Sequence, residues 1–195
     1  MFTQELESIY YKKPQLNEII PFYELSPQIE LFLNEEVRLG ARNLNPYRFS
    51  LRFAHEPKDV INLFVAFSSE NGPLMRLYRC ECIDCEQMLI LNDEELKEFK
   101  CYNCGSTGNL ELKDFLDNVK VIFEIKEKYI KDVKARLKEQ ASSDASKKNT
   151  KSEEAIKGEV SLKDVFDLNA VGSDNELLEI EKSVMHKITF GLTSI

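Results

Sequence analysis

Cysteine spacing constrains the fold of this chain more than any other feature of its 195 residues. All five cysteines lie between Cys80 and Cys104, and four of them form two Cys-x-x-Cys pairs, Cys82/Cys85 and Cys101/Cys104, with fifteen residues between the pairs. A two-residue gap lets both sulfurs of a pair reach one metal ion, and four thiolates make a closed tetrahedral set for Zn²⁺. The spacing therefore predicts a structural zinc site between two hairpin tips that face each other.

Other uses of the cysteines stay open at the level of sequence. Iron of the rubredoxin type takes the same ligand set, so the spacing does not separate it from zinc. A redox dithiol is typically a single pair that opens a helix after a strand, and inert buried thiols are a further alternative. Cys80 shares a strand face with Cys82 and is either a spare buried thiol or a replacement ligand.

The segment 74–112 resembles the zinc-ribbon family, a fold group of two hairpins that each carry a cysteine pair. The resemblance is carried by "CIDC" at 82–85 and "CYNCG" at 101–105, with short apolar stretches on either side. It implies that Cys82, Cys85, Cys101 and Cys104 are the ligands of a structural Zn²⁺ ion, and it names a fold module without naming an activity. Gly105 follows the second pair as this module favours, whereas Glu86 follows the first pair and departs from it.

The remaining chain predicts an α+β protein that is mainly helical. Residues 26–40 read as a helix capped by Ser26, residues 47–53 alternate as in a half-buried strand, and residues 59–67 favour a helix, with a buried strand as the alternative. A long helix over 113–140 is predicted from its apolar stripe and its i,i+4 ion pairs.

Residues 140–160 are poor in large apolar side chains and are predicted to be a flexible linker. Two amphipathic helices are expected after it, the second opened by Ser173 and Glu176 in capping-box spacing. The predicted organisation is an N-terminal mixed section (1–73), the ribbon (74–112), a long helix packed on the same domain (113–139), the linker (140–160) and a C-terminal helical segment (161–195).

The cysteine count also bears on the compartment. An odd number of cysteines with two-residue gaps is not typical of a secreted disulfide framework. The start of the chain lacks a basic and apolar signal segment, and no run approaches the roughly eighteen apolar residues that span a bilayer. We therefore expect a cytoplasmic, reducing environment and no membrane partner.

Charge argues against nucleic acid as the main partner. The net charge is −8, and between residues 74 and 112 eight acidic residues face four basic ones, so the ribbon should repel phosphate. The alternative is a nucleic-acid-associated protein of transcription or replication that uses the arginine and aromatic stretch 38–53. Its candidate contacts are Arg38, Arg42, Arg48 and Arg52.

The favoured hypothesis is a non-catalytic adaptor or regulator that binds another protein. A closed four-cysteine site leaves no coordination position for substrate, and the two histidines, His55 and His186, lie far apart in the sequence. The apolar residues of the C-terminal helices could dock in a partner's groove or fold back on their own domain. These candidate docking residues are Val165, Phe166, Leu168, Leu177, Leu178, Val184, Met185 and Ile188.

Overall fold

The computed structural model describes residues 2–69, 72–107, 116–143, 158–169 and 175–191. In chain order the described elements are α1 (Phe2–Lys12), α2 (Leu16–Ile19), α3 (Phe22–Arg38), β1 (Asn43–Leu44), α4 (Pro46–Phe53), α5 (Pro57–Phe67), β2 (Leu74–Glu81), β3 (Met88–Leu91), α6 (Asp93–Glu98), β4 (Lys120–Ile125), α7 (Glu127–Ser143), β5 (Val160–Ser161), α8 (Leu162–Asn169) and α9 (Asn175–Gly191). Helices predominate over a small antiparallel sheet, which confirms the predicted α+β class.

The chain divides into two compact units, and each is built from two separated stretches of sequence. The first unit comprises Met1–Met75 and Phe123–Gly158. The second comprises Arg76–Ile122 and Glu159–Ile195. All four paired cysteines and the C-terminal helices α8 and α9 therefore belong to the second unit.

A chain of phenylalanine rings forms the core of the first unit. Phe49 of α4 contacts Phe32 of α3 edge to face, with 5.3 Å between ring centroids, and it contacts Phe64 of α5 at 6.0 Å. Phe64 in turn lies 5.5 Å from Phe123 of β4. Each such pair adds about 0.5–1.5 kcal/mol to the gain from burying the rings, so these contacts tie three helices to a strand.

The predicted strand over 47–53 is wrong, because these residues form α4. Asn45 caps the helix by accepting a hydrogen bond from the N–H of Tyr47, and Pro46 occupies the first turn, where its missing N–H costs nothing. Leu51, which the strand interpretation buries, is 67% exposed. Seven alternating residues were too few to outweigh a strong helix start.

The other two helix predictions of the first unit differ in outcome. The helix predicted over 59–67 is confirmed as α5, which begins at Pro57. The helix predicted from Ser26 begins earlier, at Phe22, and holds Pro27 in its interior. The earlier start is possible because Asn17 Oδ1 accepts from the N–H of Phe22, which satisfies a free donor of the first turn.

The single helix predicted over 113–140 is a strand followed by a helix. Residues 120–125 form β4, in which Val121, Phe123 and Ile125 are buried and the alternate residues are half-buried. The second part is α7, which runs to Ser143, into the predicted linker. β-branched and aromatic side chains at alternate positions favour a strand, and β4 pairs with β1 in the first unit and with β5 in the second.

In the second unit β2 lies between β3 and β4, and the C-terminal helices pack on their own unit. Ser161 and Asp164 form the reciprocal cap that starts α8, with Ser161 Oγ accepting from the N–H of Asp164 at 3.1 Å. Leu177 and Ile180 of α9 are fully buried, and Ser183 Oγ donates to the carbonyl of Lys97 near the end of α6. The predicted capping residue Ser173 and most of the predicted linker lie outside the described residues.

Candidate metal centre

Four cysteine sulfurs converge in the second unit. The Sγ atoms of Cys82, Cys85, Cys101 and Cys104 all lie within 4.8 Å of one another. The Sγ atoms of Cys82 and Cys104 are 3.7 Å apart, and those of Cys85 and Cys101 are also 3.7 Å apart. Four ligands at about 2.3 Å around a tetrahedral Zn²⁺ ion would be separated by about 3.8 Å, whereas a disulfide needs about 2.05 Å. The four cysteines therefore fit a metal ion, and all are free thiols.

Both cysteine pairs are held by the same backbone turn. In the first, the N–H of Glu86 donates to the carbonyl of Cys82 at 2.8 Å, and the N–H of Cys82 donates to the carbonyl of Gln87 at 2.9 Å. In the second, the N–H of Gly105 donates to the carbonyl of Cys101 at 2.8 Å, and the N–H of Cys101 donates to the carbonyl of Ser106 at 2.7 Å. We call these turns, residues 82–87 and 101–106, the first and second knuckle.

Glu86 stands where the zinc-ribbon module favours glycine, but its backbone has the conformation that glycine would adopt there. Gly105 has φ of 75°, and Glu86 at the matching position of the first knuckle has φ of 56°. This left-handed region is open to glycine at no cost but costs other residues roughly 1–2 kcal/mol. The first knuckle therefore keeps the shape of the second while carrying the strain of a side chain.

Replacing Glu86 by glycine is expected to stabilise the second unit by about 0.5–1 kcal/mol, because the strain is removed and the entropy gained by the unfolded chain offsets only part of it. Thermal unfolding followed by circular dichroism measures the change. The matched variant is Gly105→Ala, whose new Cβ would meet nothing within 4 Å, so only its backbone conformation is penalised. A fall in stability for Glu86→Gly, or no fall for Gly105→Ala, would contradict the strain at these positions.

The surroundings of the four sulfurs differ. Asn103 Nδ2 lies 3.5 Å from Cys85 Sγ, and this hydrogen bond is the largest of several causes, including a backbone hydrogen bond of Gln87, that lower the pKa of the Cys85 thiol. Cys82 and Cys101 are buried, and Cys104 is exposed. A thiolate is the form that binds a metal, so the amide of Asn103 favours the ligand state of Cys85.

Cys80 stands apart from the four-sulfur group. It lies on β2 opposite Leu89 and is buried, and burial raises the pKa of its thiol to about 11. A buried, protonated thiol behaves as a small apolar side chain. The structure thus brings together the four cysteines that the resemblance implies, without Cys80.

The first of the two predicted hairpins is confirmed. β2 and β3 pair antiparallel around the first knuckle, with Glu81 opposite Met88. Residues 109–112, which would form the outgoing arm of the second hairpin, lie outside the described residues.

No family model, curated protein or solved structure matches the chain. The likeness to zinc ribbons rests on the cysteine pairs, and the structure adds their convergence and the two matching knuckles.

Two of the predicted nucleic-acid contacts are engaged in ion pairs of the first unit. Arg48 lies 3.0 Å from the buried carboxylate of Glu36. Arg52 forms a bidentate ion pair with Glu35, and the hydrogen bond from Arg52 holds the pKa of the Glu35 carboxyl below its usual value. Arg38 and Arg42 are exposed. The four arginines therefore do not form a free basic strip, which weakens the nucleic-acid alternative.

Most of the predicted docking residues are in the core of the second unit. Exposure is 0% for Val165 and Leu177, and it is 8% or less for the other buried members, Phe166, Leu168 and Val184. Leu178 is half-buried and Met185 is 39% exposed, while the side chain of Ile188 lies outside the described set. In this conformation the C-terminal helices bury their apolar faces against their own unit. This packing removes apolar surface of the small sheet from water.

Sequence reasoning missed a buried charge network in the second unit. The side chain of Arg76 is fully buried and donates to both carboxylate oxygens of Asp93, at 3.2 and 3.1 Å. Tyr78 Oη donates to Asp93 at 2.7 Å, and Glu176 of α9 lies 3.9 Å from Arg76. Arg76 alternates with exposed or half-buried residues along β2, so only the strand period marked it as inward-facing.

The two histidines lie in different units. His55 lies 2.6 Å from Gln28 Oε1 and stacks on Phe49 in the first unit. His186 is on α9 in the second. Among the described residues, no helix is both long and apolar enough to cross a membrane.

Proposed function

We propose that Cys82, Cys85, Cys101 and Cys104 hold a structural Zn²⁺ ion, and that the protein is a non-catalytic adaptor or regulator that binds another protein. The observation that carries the proposal is the convergence of four sulfurs at distances suited to one tetrahedral ion. Bound zinc would cross-link the two knuckles, which are separated by more than a dozen residues in the chain.

A structural role follows from the donor set. Four thiolates fill the coordination sphere of zinc and leave no position for water or substrate. The turns that carry the thiolates are closed by their own backbone hydrogen bonds, so the ligands are held by the fold itself. A closed site of this kind stabilises a surface and does no chemistry at the metal.

Metal content tests this part of the proposal. Elemental analysis of chain purified without chelators or added metal should find one zinc per chain, and the variant Cys82→Ser plus Cys101→Ser should contain none. Finding iron instead of zinc would indicate a rubredoxin-type centre. A metal-free, fully folded wild-type chain would overturn the proposal.

The interaction role is supported by apolar side chains that the second unit leaves exposed near the cysteines. Ile83, Met88, Ile90 and Tyr102 are between 47% and 70% exposed. Exposed apolar residues gathered in one region mark interaction surfaces more often than scattered ones do. Cross-linking in cells followed by mass spectrometry should place a defined partner on these residues, and turnover of a substrate would instead establish an enzyme.

Nucleic-acid binding is the alternative, and its test is salt dependence. Arg48 and Arg52 already neutralise carboxylates of their own unit, so the chain should elute from single- and double-stranded DNA and RNA columns at low salt. Retention that weakens steeply with salt and disappears in Arg48→Ala plus Arg52→Ala would favour the alternative.

A further inference from the structure

We infer that the exposed face of the β2–β3 hairpin, together with the first knuckle, binds a basic amphipathic segment of a partner protein. This inference rests on the proposed function and adds the chemistry of the partner. It rests on three properties of the described residues, which are an apolar strip, a groove beside it, and carboxylates that have no ion-pair partner.

The apolar strip lies on one face of the hairpin. Glu81 is directly opposite Met88, and Arg79 is directly opposite Ile90, so these side chains project from the same face of the sheet. Met88 and Ile90 are each 47% exposed. Tyr102 of the second knuckle extends the strip, because its hydroxyl donates to the carbonyl of Met88 at 3.2 Å. Methionine and tyrosine are residue types enriched at protein interfaces.

A groove adjoins the strip within the second unit. It has a volume of about 430 Å³ and is lined by Ile83 and Met88 on its apolar side and by Glu81 and Glu86 among its charged residues. This volume accommodates one or two side chains of a bound peptide. Methionine and isoleucine at its border can receive the apolar stem of a lysine, an arginine or a leucine.

Most of the charged groups around the groove are carboxylates that form no ion pair. Glu81, Asp84 and Glu86 are exposed, and in the described part of the chain they form no ion pair. A four-thiolate zinc site nearby would add two negative charges. Two cations also line the groove: Arg79 is paired with Glu159, whereas Lys120, whose Nζ donates to the uncharged backbone carbonyl of Asp117 at 2.6 Å, keeps its charge. Three exposed carboxylates against this one lysine leave the surroundings of the groove net acidic. The groove is therefore complementary to a cationic side chain.

The combination selects a peptide over other ligands. Phosphate would be repelled by the carboxylates, and a purely cationic chain would leave the apolar strip exposed to water. A segment that alternates basic and apolar residues satisfies both halves of the surface. Its charges would speed association and set specificity, and its apolar residues would supply most of the affinity.

The test is a fluorescence anisotropy titration of the full chain against a labelled decapeptide of alternating lysine and leucine. Decapeptides of alternating lysine and serine, and of alternating glutamate and leucine, are the comparison probes. We expect only the lysine and leucine peptide to bind with a Kd below about 100 µM, which corresponds to a modest surface contact. Equal binding of the lysine and serine peptide would overturn the inference, because it would show attraction to net charge alone.

Variants locate the binding surface. Glu81→Lys plus Glu86→Lys, and separately Met88→Ser plus Ile90→Ser, should each raise the Kd roughly tenfold or more. The matched control is Glu7→Lys plus Glu18→Lys, which makes the same charge change at exposed residues of the first unit and should leave the Kd nearly unchanged. An equal loss in the control would overturn the inference.

Metal content of each variant separates this inference from the proposed function. A wild-type chain that holds zinc but does not bind the peptide would overturn the docking surface and leave the zinc site standing. A wild-type chain without zinc would overturn the proposed function. Surface variants that keep their zinc and lose the peptide would support the docking surface, because loss of folding could not explain the result.

Discussion

Replacing Cys82 by serine is expected to lower the unfolding midpoint of the second unit by roughly 10 °C or more. Structural zinc contributes about 10–16 kcal/mol of apparent binding free energy in zinc-finger peptides, and loss of one buried thiolate removes much of that contribution. Cys82 is 1% exposed, so its replacement also leaves a buried hydroxyl. Differential scanning calorimetry measures the shift.

Hydrogen exchange gives the same prediction residue by residue. The N–H groups of Glu86 and Gly105 close the two knuckles, so both should lose protection in Cys82→Ser or after chelation. Acidification should act alike, because protonated thiols release the metal. The matched control is Cys80→Ala, which removes a buried sulfur outside the four-sulfur group and should shift the midpoint far less. An equal shift in both variants would show that packing and not metal holds the knuckles.

The second large effect is expected at Asp93. Asp93→Ala should destabilise the second unit by about 3–5 kcal/mol, because the guanidinium of Arg76 is fully buried and would lose its nearest carboxylate. Tyr78 would lose the acceptor of its hydroxyl as well. Chemical denaturation monitored by tyrosine fluorescence measures the change.

A second substitution distinguishes charge burial from other causes. Arg76→Met in the Asp93→Ala background should recover part of the lost stability, because it removes the uncompensated charge and keeps an apolar stem of similar length. The matched control is Glu94→Ala, which also removes an acidic residue from the first turn of α6 but breaks only an exposed ion pair with Lys97. If the double variant is less stable than Asp93→Ala, the uncompensated charge of Arg76 is not the cause of the stability lost in Asp93→Ala.

The candidate metal centre was the feature best predicted from the sequence, because the spacing of its four cysteines indicates the ligand set directly. Two knuckles and the hairpin around the first follow from local pattern, as do α5 and α8. Their residues are close in the chain, so their periodicity and capping suffice to predict them.

The error at β4 arose because distant residues decide its structure, whereas the error at α4 arose from a local helix cap that was overlooked. β4 is a strand because it pairs with β1 and β5, which lie far away in the sequence, while its residues alone continue a helical stripe into α7. The cap at Asn45 and Pro46 precedes the seven residues whose alternation suggested a strand. The left-handed conformation of Glu86 likewise could not be read from a residue type that rarely adopts it.

The discontinuous second unit has a consequence for synthesis on the ribosome. Its cysteines lie in the stretch that ends at Ile122, but the helices that cover its core begin only after Glu159. Translation proceeds at about 5–20 residues per second, so the cysteines leave the exit tunnel seconds before the helices that complete their unit. Early capture of a metal would shield those sulfurs from oxidation during that delay, and nascent chains arrested at different lengths would reveal when the capture occurs.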